Sequence, residues 1–348
     1  MLFNVLETDE YVHGFCTPNG FSAEARVRVS AGGRILYTGP CDQIIEDHVH
    51  YGRHATGRVG FVLTDAQIPK LMQLPDLTIQ DAQTGFLIYR RNQPAHFVQK
   101  RVFHLETLLA PPASYAPALA RYFAYSLGEA QFHGVETNTQ AFSLTHYPSM
   151  YLEGRLHLCS HQAHLGDALF SAISVTDPFV ALALLLDGLV RGDGMTLGQL
   201  EDREFAALMP VIALLEGVPV GAPEAMARRF KRAPNAALSA LSSPLVGLLT
   251  GAAPGAGGAR ADVPQALEMM SRFDVVIDDM APRLGQMEFA GHLGLELKDM
   301  PLRSVPERVK HLSEALRQVE ALEIALESDL ILYHCLRQAS VVDGPLIS

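Results

Sequence analysis

The sequence predicts an α/β protein in which a parallel sheet with helices on both faces follows a small antiparallel β-sandwich domain. Three observations support this fold class. A strand, a tight turn and an apolar helix follow one another over residues 172–190. A second buried strand with a helix behind it begins near Phe273, and the first 92 residues carry several short strands. Strand–helix units of this kind build parallel sheets, whereas short strands separated by turns build antiparallel ones.

Length, composition and charge limit the class of protein. The chain has 348 residues, of which 48% are hydrophobic and 19% are charged, as is typical of a globular protein with room for two domains. A net charge of −11 disfavours nucleic acid or an anionic membrane as a partner. The four cysteines are far apart and form no C-x-x-C pair, which favours unpaired thiols in a reducing compartment.

The N-terminal stretch and the length of the apolar runs bear on localisation. The N-terminal stretch MLFNVLETDEYVHGF carries acidic residues where a secretion signal has a basic segment and then an apolar one. The longest apolar run, residues 179–186, is far shorter than the roughly 20 residues of a spanning helix. We therefore expect a cytoplasmic protein without a membrane span.

Residues 1–92 are predicted to form the antiparallel β-domain. Val27 and Val29 alternate with charged residues, which indicates a half-buried strand. The turn Ala31-Gly32-Gly33 then leads into a second strand over residues 34–37 and so predicts a hairpin. Further strands are predicted over residues 59–63, 77–79 and 86–89.

Residues 93–348 are predicted to form the α/β domain, and its central unit is residues 172–190. Asp177 is placed to cap a helix whose first residue is Pro178, where the missing N–H costs nothing. The helix is apolar nearly all round and is therefore expected to be covered on most sides. Because ligands of open α/β sheets bind at the carboxyl ends of the strands, the site is expected at this turn and its neighbours.

Helices are expected through most of the remaining chain. They are predicted over residues 197–216, 222–231 and 236–249, and the glycine-rich stretch 251–262 is predicted to be a mobile surface loop. A second buried strand over residues 273–277 precedes a helix from about Ala281. Ser304 and Glu307 have capping-box spacing, and the apolar stripe that follows predicts one long helix or two in series.

His161 and His164 are the candidate catalytic residues. Both follow a predicted strand over residues 151–160, and their i, i+3 spacing puts them on one face if the segment is helical. An imidazole at a strand's carboxyl end is suited to general acid–base catalysis. A structural or merely exposed role is the alternative for both.

Arg90, Arg91, Lys100 and Arg101 form a basic cluster in an acidic protein. Guanidinium groups suit sulfate, phosphate or uronate ligands, so these residues are candidate binding residues. The alternative is a face of salt bridges at a domain junction.

Two further clusters bear on metal binding. His48, His50 and His54 lie close to Asp47, a set from which zinc ligands are drawn, but a solvated loop is the preferred interpretation and no metal is expected. The pair Asp278-Asp279 offers a base or metal ligands, and its alternative role is helix capping.

Motifs for nucleotide binding and for serine hydrolysis are missing from the sequence. It contains neither a G-x-x-x-x-G-K-[ST] loop nor a G-x-G-x-x-G turn, and it has no G-x-S-x-G nucleophile elbow.

Residues 154–336 resemble the sulfotransferases that use 3′-phosphoadenylyl sulfate. The resemblance rests on RLHLCSHQAHLG, the strand-Asp-Pro-helix unit at 175–189, SSPLVGLLTG, FDVVIDDMAPRLGQMEFAGHLGL and the final LESDLILY, in that order. In addition, the run GGRILYTGPCDQ…GRHATGRVGF resembles accessory β-domains of bacterial surface-polysaccharide enzymes. Together these resemblances imply a sulfotransferase-like fold and a polysaccharide or glycan precursor as acceptor, as in capsule biosynthesis.

The hypothesis of a group transferase assigns roles to individual residues, whereas only Asp177 and Pro178 match the family's own motif. His161 or His164 would deprotonate a sugar hydroxyl. Contacts to 3′-phosphoadenylyl sulfate would come from Lys100, Arg101 and Thr176, and contacts to the acceptor from Arg90, Arg91 and His104.

The chain departs from the family at the cofactor turn. Thr176 and Ala181 stand where the family has arginines, and Leu184 stands where it has the serine that holds a phosphate. Two hypotheses follow. One is a group transferase with a degenerate cofactor site. The other is a non-catalytic binding or scaffold protein that keeps the fold and binds a glycan or a protein partner, of which a second copy of the chain in a homodimer is one example.

Overall fold

The computed structural model describes residues 1–91, 97–144, 147–166, 169–192, 194–198, 200–253 and 255–342. It contains a five-stranded parallel sheet flanked by helices and two four-stranded antiparallel sheets, which confirms the α/β class. The chain divides into two compact units. The first comprises Met1–Arg101 and Ala116–Leu152, and the second comprises Val102–Tyr115 and Glu153–Ser348.

The elements of the first half of the chain are, in order, β1 (Leu2–Glu7), β2 (Val12–Thr17), β3 (Arg26–Ala31), β4 (Arg34–Pro40), β5 (Gln43–Ile44), α1 (Glu46–His50), β6 (Arg58–Leu63), β7 (Thr78–Asp81), β8 (Leu87–Arg90), β9 (Arg101–Glu106), α2 (Ala116–Leu119), β10 (Tyr125–Leu127), α3 (Val135–Phe142) and β11 (Met150–Gly154).

The elements of the second half are β12 (Phe170–Val175), α4 (Pro178–Arg191), α5 (Gly194–Gly198), α6 (Asp202–Leu215), α7 (Pro223–Phe230), α8 (Asn235–Ala240), α9 (Pro244–Thr250), α10 (Val263–Met270), β13 (Val275–Asp278), α11 (Pro282–Leu293), α12 (Glu307–Leu316), α13 (Glu320–Ala325) and α14 (Glu327–Val342).

The first unit contains the two antiparallel sheets, with strand orders β1-β2-β6-β5 and β4-β3-β7-β8. The predicted hairpin is confirmed as β3–β4, whose strands pair from Ala31 and Arg34 outward. Gly32 and Gly33 close it with φ values of 56° and 74°, a conformation that side chains with a Cβ rarely adopt.

One local prediction in the first unit is wrong. His48 and His50 belong to the helix α1 and not to a solvated loop, because Glu46 and Asp47 favour the start of a helix and the histidines its end. Residues 114–128 carry apolar side chains at helical spacing, but near the end of this stretch β10 forms a strand that pairs in parallel with β11. Its apolar side chains are buried in a sheet, which overrides the helical pattern.

The parallel sheet has the order β10-β11-β9-β12-β13. Within the second unit, β12 is paired with β9 on one side and β13 on the other, with Ile173 opposite Leu105 and opposite Val276. Both neighbours run parallel to it, as predicted from the strand–helix units. Five of its six residues are buried, which explains why β12 reads as a run of apolar and small residues.

The predicted strand–turn–helix unit is confirmed. Asp177 Oδ1 accepts hydrogen bonds from the backbone N–H of Phe179 at 2.9 Å and of Val180 at 3.3 Å, and Pro178 opens α4. The helix ends at Gly192 in the left-handed conformation. Its apolar side chains form one core with α6, α7 and α12, so the helix is covered on most sides.

The C-terminal part is divided into more helices than the sequence predicts. Three helices, α12, α13 and α14, replace one long helix or two, because extended Val319 interrupts the run. The residue that precedes α12 is Pro306, so the capping box predicted from Ser304 is wrong. Between α9 and α10 the described residues form a single 3₁₀ turn, Arg260–Asp262, and the mobility of this loop stays a prediction.

No helix in the described ranges has both the length and the apolar character needed to cross a membrane.

Candidate functional site

The carboxyl ends of β9, β12 and β13 meet at one edge of the sheet in the second unit. The register places Ser174 opposite Glu106 and Val175 opposite Asp278, so these strand ends are direct neighbours. Polar side chains therefore converge where an open α/β sheet binds its ligands.

A fully buried arginine joins two of these strand ends. Arg303, from the segment between α11 and α12, donates to Glu106 Oε2 at 2.5 Å and to Asp279 Oδ2 at 2.8 Å. Burial alone would lower the pKa of Arg303, but the two carboxylates raise it overall. Burial raises the pKa of Asp279 to about 6 against the opposing effect of Arg303. The two strand ends are thus connected by one buried cation.

His104 belongs to a second buried network, inside the sheet. Its Nε2 lies 2.8 Å from Ser174 Oγ, and its Nδ1 lies 3.9 Å from Glu153 Oε2. Ser114 Oγ donates to Glu153 Oε1 at 2.8 Å. The order serine–histidine–carboxylate is that of a catalytic triad. However, Ser174 and His104 are 0% exposed, so the serine has no access to a substrate and the network stabilises the core.

A cavity of about 50 Å³, which we call the strand-end cavity, lies at this edge of the sheet. Its walls are mainly apolar side chains of α4, α8 and α9, and its polar residues are Thr107, Thr176 and Asp329. Thr107 donates to the backbone oxygen of Ser174 at 2.6 Å. The buried Oγ of Thr176 has no hydrogen-bond partner among the described residues. One residue of the cavity lining thus carries a buried hydroxyl that no described residue of the fold satisfies.

Asp329 contributes a carboxyl group to the strand-end cavity from α14. It is 2% exposed, and its two oxygens accept hydrogen bonds from the backbone N–H of Leu245 at 3.0 Å and of Val246 at 2.8 Å. Burial raises the pKa of Asp329 to about 7, although the two N–H donors oppose the shift. The group therefore exchanges its proton near neutral pH, as ligand-binding and catalytic carboxyls often do.

A second cavity, of about 60 Å³, shares Thr107, Leu109, Ala240 and Pro244 with the first. Its charged residues, Arg155 and Glu204, form a buried ion pair.

The other arginines at this edge are also paired. Arg317 lies 2.5 Å from Asp177 Oδ1. Arg337 lies 3.0 Å from Asp278 Oδ2, which also accepts from Tyr333. The turn after β12 has a guanidinium after all, supplied by Arg317 from far along the chain, but a carboxylate already neutralises it.

His161 and His164 lie close to each other, with ring centroids 6.4 Å apart. His161 lies between two short 3₁₀ turns and His164 ends the second, since β11 ends at Gly154 and not at residue 160. Burial lowers the pKa of His161, and His164 lowers it further, so the imidazole of His161 is neutral at neutral pH. Neither histidine lines the strand-end cavity. The catalytic role of His161 and His164 stays a prediction.

The predicted basic cluster lies in the first unit. Arg90 donates to the backbone oxygen of Ala120 at 2.8 Å, and burial lowers its pKa. Arg91 pairs with Glu7 at 3.0 Å. These guanidinium groups are used within the fold of that unit.

Lys100 and Arg101 lie at the amino end of β9. Arg101 donates to the backbone oxygen of Phe142 at 2.6 Å, and Lys100 directly precedes the strand. The six residues from Arg101 to Glu106 span about 16 Å of strand. Of the three residues predicted to contact a cofactor, Thr176 alone lines the strand-end cavity.

The histidines near Asp47 have structural partners. His48 Nδ1 lies 2.9 Å from Thr17 Oγ1, and His54 Nε2 lies 2.9 Å from the backbone oxygen of Ala23. In the described ranges no three His, Cys, Asp or Glu side chains are grouped so as to hold a metal ion.

The turn after β12 does not fit 3′-phosphoadenylyl sulfate. Ala181 lines the strand-end cavity and Leu184 is buried in the helical core, and neither side chain donates a hydrogen bond. The arginines of the edge are bound to carboxylates, and a cavity of about 50 Å³ is much smaller than the roughly 300 Å³ or more of a site for a whole small-molecule ligand. No step is therefore derived through that cofactor.

Comparison of the chain with family models, with curated proteins and with solved structures finds no match.

Sequence reasoning missed Asp329 and Arg303. Asp329 had a visible signal, because it interrupts the apolar stripe of Leu326, Leu330 and Tyr333 on a helix. Arg303 had none, because its partners Glu106 and Asp279 are distant in sequence.

Proposed function

We propose that this chain is a non-catalytic binding protein, whose α/β unit takes a hydroxyl-bearing group of a glycan into the strand-end cavity. The observation that carries the proposal is the charge pairing at the sheet edge. Arg303, Arg155, Arg317 and Arg337 are all bound to carboxylates there. A dianionic donor would have to displace those carboxylates, and leaving them buried without a counter-charge is costly.

The chemistry of the cavity supports a hydroxyl-bearing group. Asp329 offers carboxyl oxygens, Thr176 offers a hydroxyl that has no partner among the described residues, and the remaining walls are largely apolar. Sugar rings present hydroxyl groups on one edge and C–H groups on a face, which matches such a lining. A volume of about 50 Å³ admits one end of the ligand, not a whole nucleotide.

A group transferase with another donor is the second candidate. It is favoured by Asp329, whose pKa is raised to about 7 by burial and which is thus suited to take a proton from a hydroxyl near neutral pH. In this version Asp329 takes the role that the sequence suggested for His161 or His164.

Calorimetric titration with adenosine 3′,5′-bisphosphate separates the binding protein from a sulfotransferase. We expect no binding at the strand-end cavity with millimolar ligand. If the wild type binds adenosine 3′,5′-bisphosphate with micromolar affinity and Ala181→Leu abolishes that binding, the proposal is overturned and the strand-end cavity is a cofactor site.

A second experiment tests for sugar binding directly. It uses methyl α-glucoside as the probe and the NMR signals of the backbone amides of Leu245 and Val246 as the readout. These two N–H groups bind Asp329, so a ligand in the strand-end cavity should shift their resonances. Ala181→Leu narrows the cavity and should remove the shifts, whereas Ala236→Leu, exposed on α8, should leave them. Equal shifts in both variants, or no shift with the wild type, would contradict a glycan site here.

A further inference from the structure

We infer that the groove beside α7 is a binding site for a compact polyanion, a small molecule that carries two or more phosphate or sulfate groups. The groove encloses about 620 Å³ and is lined by Leu214, Gly217, Val218, Pro219, Ala225, Arg228, Arg229, Lys231 and Arg232. We call it the basic groove. This inference is independent of the proposed glycan site, since none of these residues lines the strand-end cavity.

The burial pattern of α7 and of the two residues after it leaves four cations at the surface. Met226, Ala227 and Phe230 are buried in the helical core, and Phe230 is 0% exposed. Arg228 and Arg229 on the helix, and Lys231 and Arg232 just beyond its end, are all exposed. The four cations therefore line the groove from the segment whose apolar side chains anchor it in the core.

In the part of the chain that the structure describes, these cations lack the carboxylate partners that the arginines of the sheet edge have. Within the described ranges, none of the four forms an ion pair with a carboxylate, although the protein carries a net charge of −11. Arg229 donates to the backbone oxygen of Glu216 at 3.3 Å, which holds its guanidinium against the opposite wall.

The end of a helix explains only part of this charge. Cations are favoured near the carboxyl end of a helix, where Arg228 and Arg229 lie. That effect accounts for one or two cations and not for four, because like charges three or four residues apart repel one another. A polyanion would remove the repulsion and use the guanidinium groups for charge-assisted hydrogen bonds.

The size and surroundings of the groove favour a small ligand over a polymer or a membrane. A volume of about 620 Å³ falls in the range of small-molecule sites. An anionic membrane or a nucleic acid would instead face the whole protein, whose net charge of −11 repels both. Phosphate and sulfate groups share the required chemistry, and the experiment tells them apart.

The test is calorimetric titration of the full chain with inorganic tripolyphosphate and, separately, with a heparin-derived tetrasaccharide. We expect binding of at least one probe, and an affinity at least tenfold lower in the double variant Arg228→Ala with Arg232→Ala, since each change removes hydrogen bonds to a charged ligand. The matched control is Arg260→Ala with Lys298→Ala, which removes two exposed cations of the same unit outside the groove. Its affinity should stay within about twofold of the wild type.

The same variants exclude a folding artefact. Loss of Arg228 and Arg232 relieves repulsion, so the melting temperature without ligand should be unchanged or higher. If it falls instead, the variant Arg228→Lys with Arg232→Lys provides the test, because it keeps the charges but loses the planar forks and should bind with intermediate affinity.

Three outcomes would overturn the inference. One is an affinity for the small probes that the double alanine variant lowers no more than the control variant does. Another is binding to phosphatidylserine vesicles but to neither small probe. The third is a wild-type affinity that stays constant when the salt concentration is raised from 50 to 300 mM. Binding by exposed cations should weaken over that range, because salt screens their charges.

Discussion

The guanidinium of Arg317 lies 2.5 Å from Asp177 Oδ1 and 4.8 Å from the centre of the Phe179 ring. Asp177 thus has two functions at once. It caps α4 by accepting from two backbone N–H groups, and it holds the cation that follows α12. The strand–turn–helix unit at the centre of the sheet is therefore connected directly to the C-terminal helices.

Replacing these two residues should have unequal effects on stability. Asp177→Ala loses both the cap and the ion pair, and we expect it to lower the free energy of unfolding by about 1–2 kcal/mol. Arg317→Ala loses a partly exposed ion pair and a cation–π contact, and should lower it by about 1 kcal/mol or less. Urea unfolding followed by circular dichroism measures both changes.

Asp177→Asn is the control for the cap. Asparagine caps helices about as well as aspartate, so this variant should resemble Arg317→Ala and not Asp177→Ala. If Arg317→Ala proves as costly as Asp177→Ala, the ion pair and not the cap holds the turn.

Arg303 should be among the most sensitive positions of the second unit. Arg303→Met leaves the buried carboxylates of Glu106 and Asp279 without their counter-charge, and we expect a loss of about 3–5 kcal/mol in the free energy of unfolding. Adding Glu106→Gln and Asp279→Asn should recover much of that loss, because the buried charges are then gone. Denaturant titration of the wild type, of Arg303→Met and of the triple variant measures the recovery.

An exposed pair provides the comparison for Arg303. Arg260→Met breaks an ion pair whose side chains are 74% and 52% exposed, so its effect should stay within about 0.5 kcal/mol. A triple variant no more stable than Arg303→Met alone would mean that the shape of Arg303, and not its charge, supports the strand ends.

The fold was predictable wherever a local pattern decides it. Asp177-Pro178 marked the start of α4, and the glycine pair at 32–33 marked the β3–β4 hairpin, because capping and positive φ depend on neighbouring residues alone. The extent of β11 and the break at Val319 were not predictable, since the sheet partners and helix packing that set them lie far away in sequence.

The candidate sites followed the same rule. The cluster of Arg228, Arg229, Lys231 and Arg232 was visible as four cations around Phe230, with apolar residues at helical spacing. The equally basic pair Arg90-Arg91 turned out to bind backbone oxygens and Glu7. Sequence shows that charges are near one another, but not whether tertiary contacts neutralise them.

The pKa of Asp329 predicts a specific dependence of stability on pH. An ordinary aspartate loses its proton near pH 4 in the unfolded chain, whereas burial raises the pKa to about 7 in the folded one. Between these pH values the unfolded state releases the proton first, so the free energy of unfolding falls as the pH rises from 4 to 7. Above pH 7 both states are ionised and the contribution stays constant.

The variant Asp329→Asn isolates that contribution. Its free energy of unfolding should fall less steeply than that of the wild type between pH 4 and 7, by a total on the order of 4 kcal/mol. Asp279, whose pKa is raised to about 6, contributes with the same sign in both proteins and cancels in the difference. Asp9→Asn, at an exposed carboxyl, should give a curve parallel to the wild type. Parallel curves for Asp329→Asn would show that Asp329 is ionised throughout.

Thr176 and Thr107 provide a matched pair for the strand-end cavity. Both hydroxyls belong to its lining, but Thr107 donates to the backbone oxygen of Ser174 whereas the buried Oγ of Thr176 has no partner among the described residues. Thr107→Val should lower the free energy of unfolding by about 1 kcal/mol, the usual loss for one hydrogen bond. Thr176→Val should leave it unchanged or raise it by up to about 2 kcal/mol, because it removes a buried polar group that nothing satisfies.

The same variant connects stability to binding. A hydroxyl that costs stability without a ligand is understandable if a ligand uses it, so Thr176→Val should also weaken or abolish the response of the Leu245 and Val246 amides to methyl α-glucoside. Unfolding midpoints and amide shifts measured on one preparation decide between the alternatives. If Thr176→Val is less stable than the wild type, the hydroxyl already has a partner such as a buried water. If it is more stable and still responds fully to the sugar, the hydroxyl does not contact the ligand, and Asp329 alone would provide the polar contact in the cavity.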